Sequence, residues 1–156
     1  MSKENNKTRL YAYGLTVLLS LIVLLDFALP GKVFTEDVLD IKKTRQNYYN
    51  AAGNYHYSYK VVTAEHQFLV SEDFAKLAQD EKIAYSVSWL FKEVNRHRLP
   101  ANGVSSIYSL RMASGLILPL LVILMIAIAY GYKKRMSRLI FVLQVISVLN
   151  LILLLQ

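Results

Sequence analysis

The sequence contains no cysteine, and this absence removes several kinds of chemistry at once. Disulfide bonds, zinc–thiolate sites and a thiol nucleophile are all excluded. The serines also lack the G-x-S-x-G pattern that presents a serine nucleophile in α/β-hydrolases. We therefore predict that the protein is not an enzyme. The absence of cysteine does not identify the cellular compartment.

Histidine is scarce as well, with His56, His66 and His97 as its three occurrences. His56 and His66 would have to meet across neighbouring strands to form a metal pair, and the pattern offers no obvious third ligand. We expect exposed or hydrogen-bonded strand histidines at both positions. The sequence therefore predicts no metal site and no other cofactor.

The net charge of +7 is concentrated beside the hydrophobic runs of the chain. Residues 31–110 carry ten Lys or Arg and nine Asp or Glu, so this middle segment is nearly neutral. Four basic residues lie in the six-residue segment 133–138. Basic flanks of membrane spans explain this distribution better than a polyanionic partner does. We predict no nucleic-acid partner.

Three long hydrophobic runs account for much of the chain, in which 54% of all residues are hydrophobic. An α-helix of about 20 apolar residues crosses about 30 Å of hydrocarbon. We predict transmembrane helices over residues 10–30, 111–132 and 139–156. The first is interpreted as a signal anchor, because Asp26-Phe27-Ala28 offers no small-x-small site at which a signal peptide would be cleaved.

The basic residues also predict the orientation of these helices. Positive charge favours the cytoplasmic side, which places the N-terminal tail (residues 1–9) and the short loop 133–138 in the cytoplasm. Residues 31–110 and the C-terminus are then extracytoplasmic. We predict an integral protein of the cytoplasmic (inner) membrane of a bacterium, with the lipid bilayer as its first partner.

Between the first two runs the hydrophobic period falls to two, which is the spacing of a β-strand with one buried face. Tyr55, Tyr57 and Tyr59 alternate with polar residues, and a second alternation covers residues 83–91. Further strands are predicted at residues 66–70 and, at a sheet edge, over 38–49. The tyrosine strand is expected to place its aromatic face in a core.

A short helix is predicted after Ser71, which is followed by two acidic residues and then by Phe74, Leu77 and Ala78 at helical spacing. Serine is a favourable N-cap, and acidic residues in the first turn complement the helix dipole.

These elements predict an α+β membrane protein in which a small antiparallel, barrel-like domain of the OB or SH3 type lies between transmembrane helices 1 and 2 of three. Closure of the barrel would remove exposed strand edges, and an open sheet is the alternative. The order of strands and short helix resembles the small β-domains that many bacterial membrane proteins carry between spans. The resemblance implies no catalytic motif.

Small and polar residues within the spans indicate close helix packing. Ala127 and Gly131 lie about one turn apart on the second span, and Gln144, Ser147 and Asn150 form a mildly polar stripe on the third. We expect these residues to pack within the bundle or against another subunit. Pro119 within the second span requires that a neighbour satisfy the carbonyl it frees.

Asp26 and Arg111 are charged residues near the outer ends of the first two spans. Asp26 lies a few residues before the end of its span and Arg111 opens the next, so both are expected at headgroup depth. We predict that they form an ion pair. Their expected partial exposure would limit the coupling to about 1 kcal/mol.

Two classes of function are consistent with these features. The first is a noncatalytic accessory or scaffold subunit that binds a larger membrane or envelope complex through its outer domain and helix faces. The alternative is a small transporter or channel subunit that self-associates into a homo-oligomer. For the accessory or scaffold function, tyrosine and arginine are favourable contact residues because they contribute large binding energies at protein interfaces. The predicted contact residues are Tyr55, Tyr57, Tyr59, Arg96, His97 and Arg98.

Overall fold

The computed structural model describes residues 3–47, 55–79, 81–100, 103, 105–131 and 137–155. The chain divides into two compact units. One unit comprises Met1–Leu29, Trp89–Glu93 and Leu110–Gln156, and we call it the membrane unit because it contains helices long and apolar enough to cross a membrane. The other, the β-domain, comprises Pro30–Ser88 and Val94–Ser109. Residues 133–136 of the predicted loop at 133–138 lie outside the described residues.

The described elements alternate between the two units along the chain. In order they are α1 (Lys3–Ala28), β1 (Lys32–Asp37), β2 (Asp40–Asn47), β3 (Tyr55–Val62), β4 (Gln67–Val70), α2 (Glu72–Leu77), β5 (Lys82–Val87), β6 (Val94–Arg98), β7 (Ser105–Ser106), α3 (Ser109–Met112), a π-helical segment (Ala113–Ile117), α4 (Leu118–Gly131) and α5 (Ser137–Leu154). The chain is therefore α+β, as its sequence predicts.

The membrane unit is built from long apolar helices. Of the described residues, two helical stretches, Lys7–Ala28 and Ser109–Gly131, are long and apolar enough to cross a membrane. Helix α5, predicted as the third span, is apolar but shorter. Buried side chains of α4 and α5 form one cluster, which contains Val122, Ile126, Ala129 and Ile140.

The segment Trp89–Glu93 belongs to the membrane unit, although the sequence places it at the end of a strand. The alternation over residues 83–91 predicts one strand, but β5 ends at Val87. The β5–β6 register shifts at Ser86 and Val87, and the chain then leaves the sheet. Phe91 packs in a cluster with Val23 and Leu154. Its apolar character therefore reflects helix packing, and the strand prediction is wrong from residue 88 onward.

The β-domain contains two antiparallel sheets. The first has the order β1-β5-β6-β7 and the second has the order β2-β3-β4. Among the described strands, no pairing closes either sheet into a barrel. The closed OB or SH3 type of barrel is therefore not formed by these strands. The predicted edge strand over 38–49 corresponds to β2, while β1, β6 and β7 have no counterpart in the predicted elements.

Inward-facing residues of both sheets and of α2 make one hydrophobic core. Ser71 caps α2 as predicted, because its side chain accepts a hydrogen bond from the Phe74 N–H at 3.3 Å. Phe74 and Ala78 are buried as expected, but Leu77 is 58% exposed and Ala75 is buried instead. The core contains Tyr59, Val61, Phe68, Val70, Phe74, Ala75, Ala78, Ile83, Tyr85, Val87 and Leu99.

Candidate functional site

The tyrosine strand β3 is buried at one end and exposed at the other. Val61 is fully buried and Tyr59 is 8% exposed, whereas Tyr57 and Tyr55 are 40% and 49% exposed. All four lie on one face of β3, because alternate residues of a strand share a face. The prediction that this aromatic face is core is therefore correct for Tyr59 and wrong for Tyr55 and Tyr57.

Basic residues of β2 lie over the exposed tyrosines and form what we call the tyrosine ladder: Lys43, Arg45, Tyr55 and Tyr57. Lys43 Nζ lies 4.0 Å from the centre of the Tyr57 ring, and Arg45 Cζ lies 4.1 Å from the centre of the Tyr55 ring. The two rings meet edge to face with their centres 5.5 Å apart. Arg45 is directly opposite Tyr57 in the pairing of β2 with β3, but it contacts the ring of Tyr55. Each cation therefore contacts a ring diagonally across the two strands. The long side chains of Lys and Arg can span this diagonal.

A cleft of about 280 Å³ lies beside the tyrosine ladder within the β-domain. It combines aromatic rings with hydroxyl, imidazole and carboxylate groups, all of which can form hydrogen bonds with a polar group. Its lining residues are His56, Tyr57, Ser58, Tyr59, Val70, Ser71, Glu72, His97, Ser106, Ile107, Tyr108 and Ser109. The structure thus brings together three of the predicted contact residues, namely Tyr57, Tyr59 and His97.

The predicted contact edge at Arg96, His97 and Arg98 is divided between the two faces of β6. Arg96 and Arg98 are exposed, whereas His97 is 3% exposed. The His97 ring lies 4.4 Å from the centre of the Phe74 ring. Burial lowers the pKa of His97 to about 4, so the imidazole is neutral at pH 7. His97 therefore lines the cleft as an uncharged group and does not share a surface with the two arginines.

A second polar cluster surrounds the hydroxyl of Tyr85. This hydroxyl donates a hydrogen bond to Glu36 Oε2 at 2.8 Å and lies 3.0 Å from His66 Nδ1 and 3.1 Å from Thr63 Oγ1. Burial raises the pKa of Tyr85 to about 12, and the charge of Glu36 acts in the same direction. Desolvation alone would raise the pKa of Glu36. Hydrogen bonds from Thr63, Tyr85 and the Glu65 backbone outweigh this effect, and the pKa of Glu36 lies below its usual value.

In the membrane unit, Asp26 and Arg111 lie within ion-pair distance. Arg111 Nη2 is 3.4 Å from Asp26 Oδ2, and the exposed fractions of the two side chains are 6% and 2%. The other carboxylate oxygen of Asp26 accepts a hydrogen bond from the Leu90 N–H at 2.7 Å. Glu93 also interacts electrostatically with Arg111. The pair is buried, in contrast to the partial exposure expected from the sequence.

Asn150 satisfies a carbonyl that the π-helical segment leaves without a helical donor. The Leu118 N–H bonds to the Ala113 carbonyl, so it no longer serves the carbonyl of Ser114. The next residue, Pro119, has no N–H to replace it. Asn150 Nδ2 donates to the Ser114 carbonyl at 3.0 Å. Asn150 of α5 thus donates the hydrogen bond that the Ser114 carbonyl does not receive within its own helix.

Gln144 links α5 to α1. Its Nε2 donates to Thr16 Oγ1 at 2.9 Å, while Thr16 donates to the carbonyl of Ala12 at 2.8 Å. Ser147 donates to the carbonyl of Leu143 within its own helix at 2.8 Å. Two of the three residues of the polar stripe therefore make hydrogen bonds to other elements of the membrane unit.

Ala127 and Gly131 are both exposed. A Cβ atom added at Gly131 would meet nothing within 4 Å. The close helix approach occurs at Gly115, where an added Cβ would lie 2.5 Å from Phe27 Cδ2. Both positions therefore leave room for lipid or another molecule to approach the helix.

Comparison with known proteins yields no match to any family model, curated protein or solved structure.

Proposed function

We propose that the protein is a noncatalytic accessory subunit, anchored in the membrane by its helices, that binds a protein partner through the tyrosine ladder. The observation that carries this proposal is the exposure of Tyr55 and Tyr57 on a face where both rings already contact cations. Tyrosine and arginine dominate the binding energy of many interfaces. The ladder presents both residue types together.

The arrangement of the ladder lowers the cost of binding. Ordering a flexible side chain at an interface costs about 0.5–1.5 kcal/mol. Exposed cation–π contacts contribute about 0.5–1 kcal/mol each, which holds Lys43 and Arg45 over their rings before a partner arrives. The adjacent cleft can receive a polar or aromatic side chain of the partner, beside the uncharged His97.

The ladder can be tested by placing a photoreactive phenylalanine analogue at position 57 of the full chain in native membranes. We expect a single heterologous crosslink, because Tyr57 faces the partner in this proposal. Thr44 provides the matched control, since it lies on the opposite face of the same hairpin and is also exposed. The crosslink should disappear in Lys43→Ala/Arg45→Ala chains. Equal crosslinking from positions 44 and 57 would contradict the proposal.

We also propose the topology that accompanies this role: three spans including α5, a cytoplasmic N-terminus, and an extracytoplasmic β-domain. The basic residues of segment 133–138 and of the N-terminal tail support this orientation. In the membrane unit, Trp89 is 75% exposed and Leu90 is 58% exposed. Tryptophan is enriched at the membrane–water interface, so this segment is suited to headgroup depth.

Single cysteines can test the topology because the chain has none of its own. We expect an impermeant thiol reagent applied to intact cells to label Lys82→Cys and to spare Ser137→Cys until the cells are opened. Lys82 is a suitable site because its side chain is 68% exposed. Labelling of the Ser137→Cys chain alone in intact cells would reverse the proposed orientation.

The exposed positions of Ala127 and Gly131 favour the alternative, a self-associating transporter or channel subunit. Small residues allow close approach of helices from different chains. The crosslinking experiment separates the two functions, since self-association would give a homo-oligomer ladder of bands in place of one heterologous band.

A further inference from the structure

Three side chains with metal-binding atoms converge at one end of the β-domain. Glu36 belongs to β1, while Glu65 and His66 lie in the connection between β3 and β4. One ligand atom from each of the three lies within 4.8 Å of the other two. Glu36 and His66 are half-buried, and Glu65 is exposed. We call these residues the Glu-Glu-His cluster.

The Tyr85 hydroxyl orients two members of this cluster. Its single proton is donated to Glu36 Oε2, so the hydroxyl oxygen can only accept from His66 Nδ1 at 3.0 Å. In its neutral form His66 then carries its proton on Nδ1, which leaves Nε2 as the ring nitrogen that can coordinate a metal. A hydrogen bond from one ring nitrogen, which fixes the tautomer and the ring, is the usual outer contact of a metal-binding histidine.

The charges of the cluster also match a dication. Two carboxylates, together with an imidazole that coordinates a metal in its neutral form, carry a formal charge of −2. Among the described residues, no Lys or Arg forms an ion pair with Glu36 or Glu65. Nearby cations are engaged elsewhere, since Lys82 lies 4.0 Å from Asp37 and Lys32 lies over the Phe34 ring.

We propose that Glu36, Glu65 and His66 bind one divalent first-row transition metal ion. Mixed imidazole and carboxylate ligands suit Zn²⁺, Fe²⁺ or Mn²⁺, whereas Ca²⁺ and Mg²⁺ prefer oxygen ligands throughout. Metal–ligand distances of about 2.0–2.2 Å require the three atoms to approach each other more closely. The exposed Glu65 side chain can supply most of this movement, and water would complete the coordination. This site is independent of the tyrosine ladder.

Zinc alone is the probe for the test, added to the purified full chain in detergent and followed by calorimetry. We expect one ion per chain and an affinity that falls about tenfold or more in Glu65→Gln and His66→Asn chains. Glu72→Gln and His56→Asn are the matched controls, because both residues are exposed and lie outside the cluster. Their affinity should equal that of the parent chain.

Two further measurements keep the result decisive. Circular dichroism should show that the exposed Glu65→Gln change leaves the fold intact, so that its lost binding cannot be attributed to unfolding. Calcium should bind more weakly than zinc. The proposal is overturned if zinc does not bind, if His56→Asn weakens binding as much as His66→Asn, or if calcium binds equally well and ignores the His66 change.

Discussion

Replacement of Asp26 by alanine is expected to destabilise the membrane unit by about 3 kcal/mol or more, because it leaves the Arg111 guanidinium buried beside fewer negative charges. Both side chains are almost fully buried. The change also removes the acceptor of the Leu90 N–H. The decrease in the unfolding temperature of the full chain in detergent would measure this effect. Glu93 remains near Arg111, so we expect a destabilisation near the lower end of the range found when one partner of a buried ion pair is removed.

A double-mutant cycle identifies the part of this loss that belongs to the pair. We expect the Asp26→Ala/Arg111→Met chain to be more stable than the sum of the two single changes predicts, since it leaves neither charge unpaired. Strict additivity would show that the two groups do not interact. Asp37→Ala provides the control, because its ion pair with Lys82 is exposed and long at 4.0 Å. That change should have little effect.

The Gly31→Ala chain is expected to lose about 2 kcal/mol or more in the β-domain, owing to a clash with backbone. A Cβ atom at this position would overlap the carbonyl of Val87 and approach the Ser88 nitrogen at 3.2 Å. Neither group can rotate away as a side chain would. Lys32, the next residue, is paired with Val87 in the β1–β5 ladder, so relief of the clash would disturb that pairing.

Gly14→Ala is the matched control for this substitution. An added Cβ at Gly14 meets nothing within 4 Å, and the residue lies inside α1. Alanine in a helix interior is favoured over glycine by about 0.5–1 kcal/mol, so this chain should be as stable as the parent or slightly more so. Thermal unfolding followed by circular dichroism compares the two chains. Equal stability of both would contradict the proposed close contact at Gly31.

The sequence predicts those strands whose buried faces are apolar, such as β3 and β5. It fails for β6, where the inward residues include Asn95 and His97, which are 4% and 3% exposed. A hydrophobic period cannot detect a strand whose buried side chains are polar. It also fails for β1, where the half-buried positions hold Phe34 and Glu36 while Val33 is 63% exposed, so apolar residues do not mark the inward face.

The missing strands explain why the Glu-Glu-His cluster was not predicted. The hydroxyl of Tyr85 and the carboxylate of Glu36 meet because β1 pairs with β5, with Phe34 opposite Tyr85. Glu36 and Glu65 are 29 residues apart in the chain and meet through a hydrogen bond from the Glu65 N–H to Glu36 Oε2, which no local sequence pattern predicts. The tyrosine ladder is a different case. Its residues were visible in the sequence, but which rings are exposed depends on where the core ends along β3.

The placement of Phe91 has a consequence for biosynthesis. A chain made from its N-terminus completes β5 and β6 long before α5 leaves the ribosome. Yet the segment between those strands packs in a cluster that includes Leu154, near the end of α5. The contact of Phe91 with Leu154 can therefore form only after α5 has been synthesised, whereas Val23 of α1 is already present when Phe91 is made. Packing of the β5–β6 connection is thus complete only when α5 is in place.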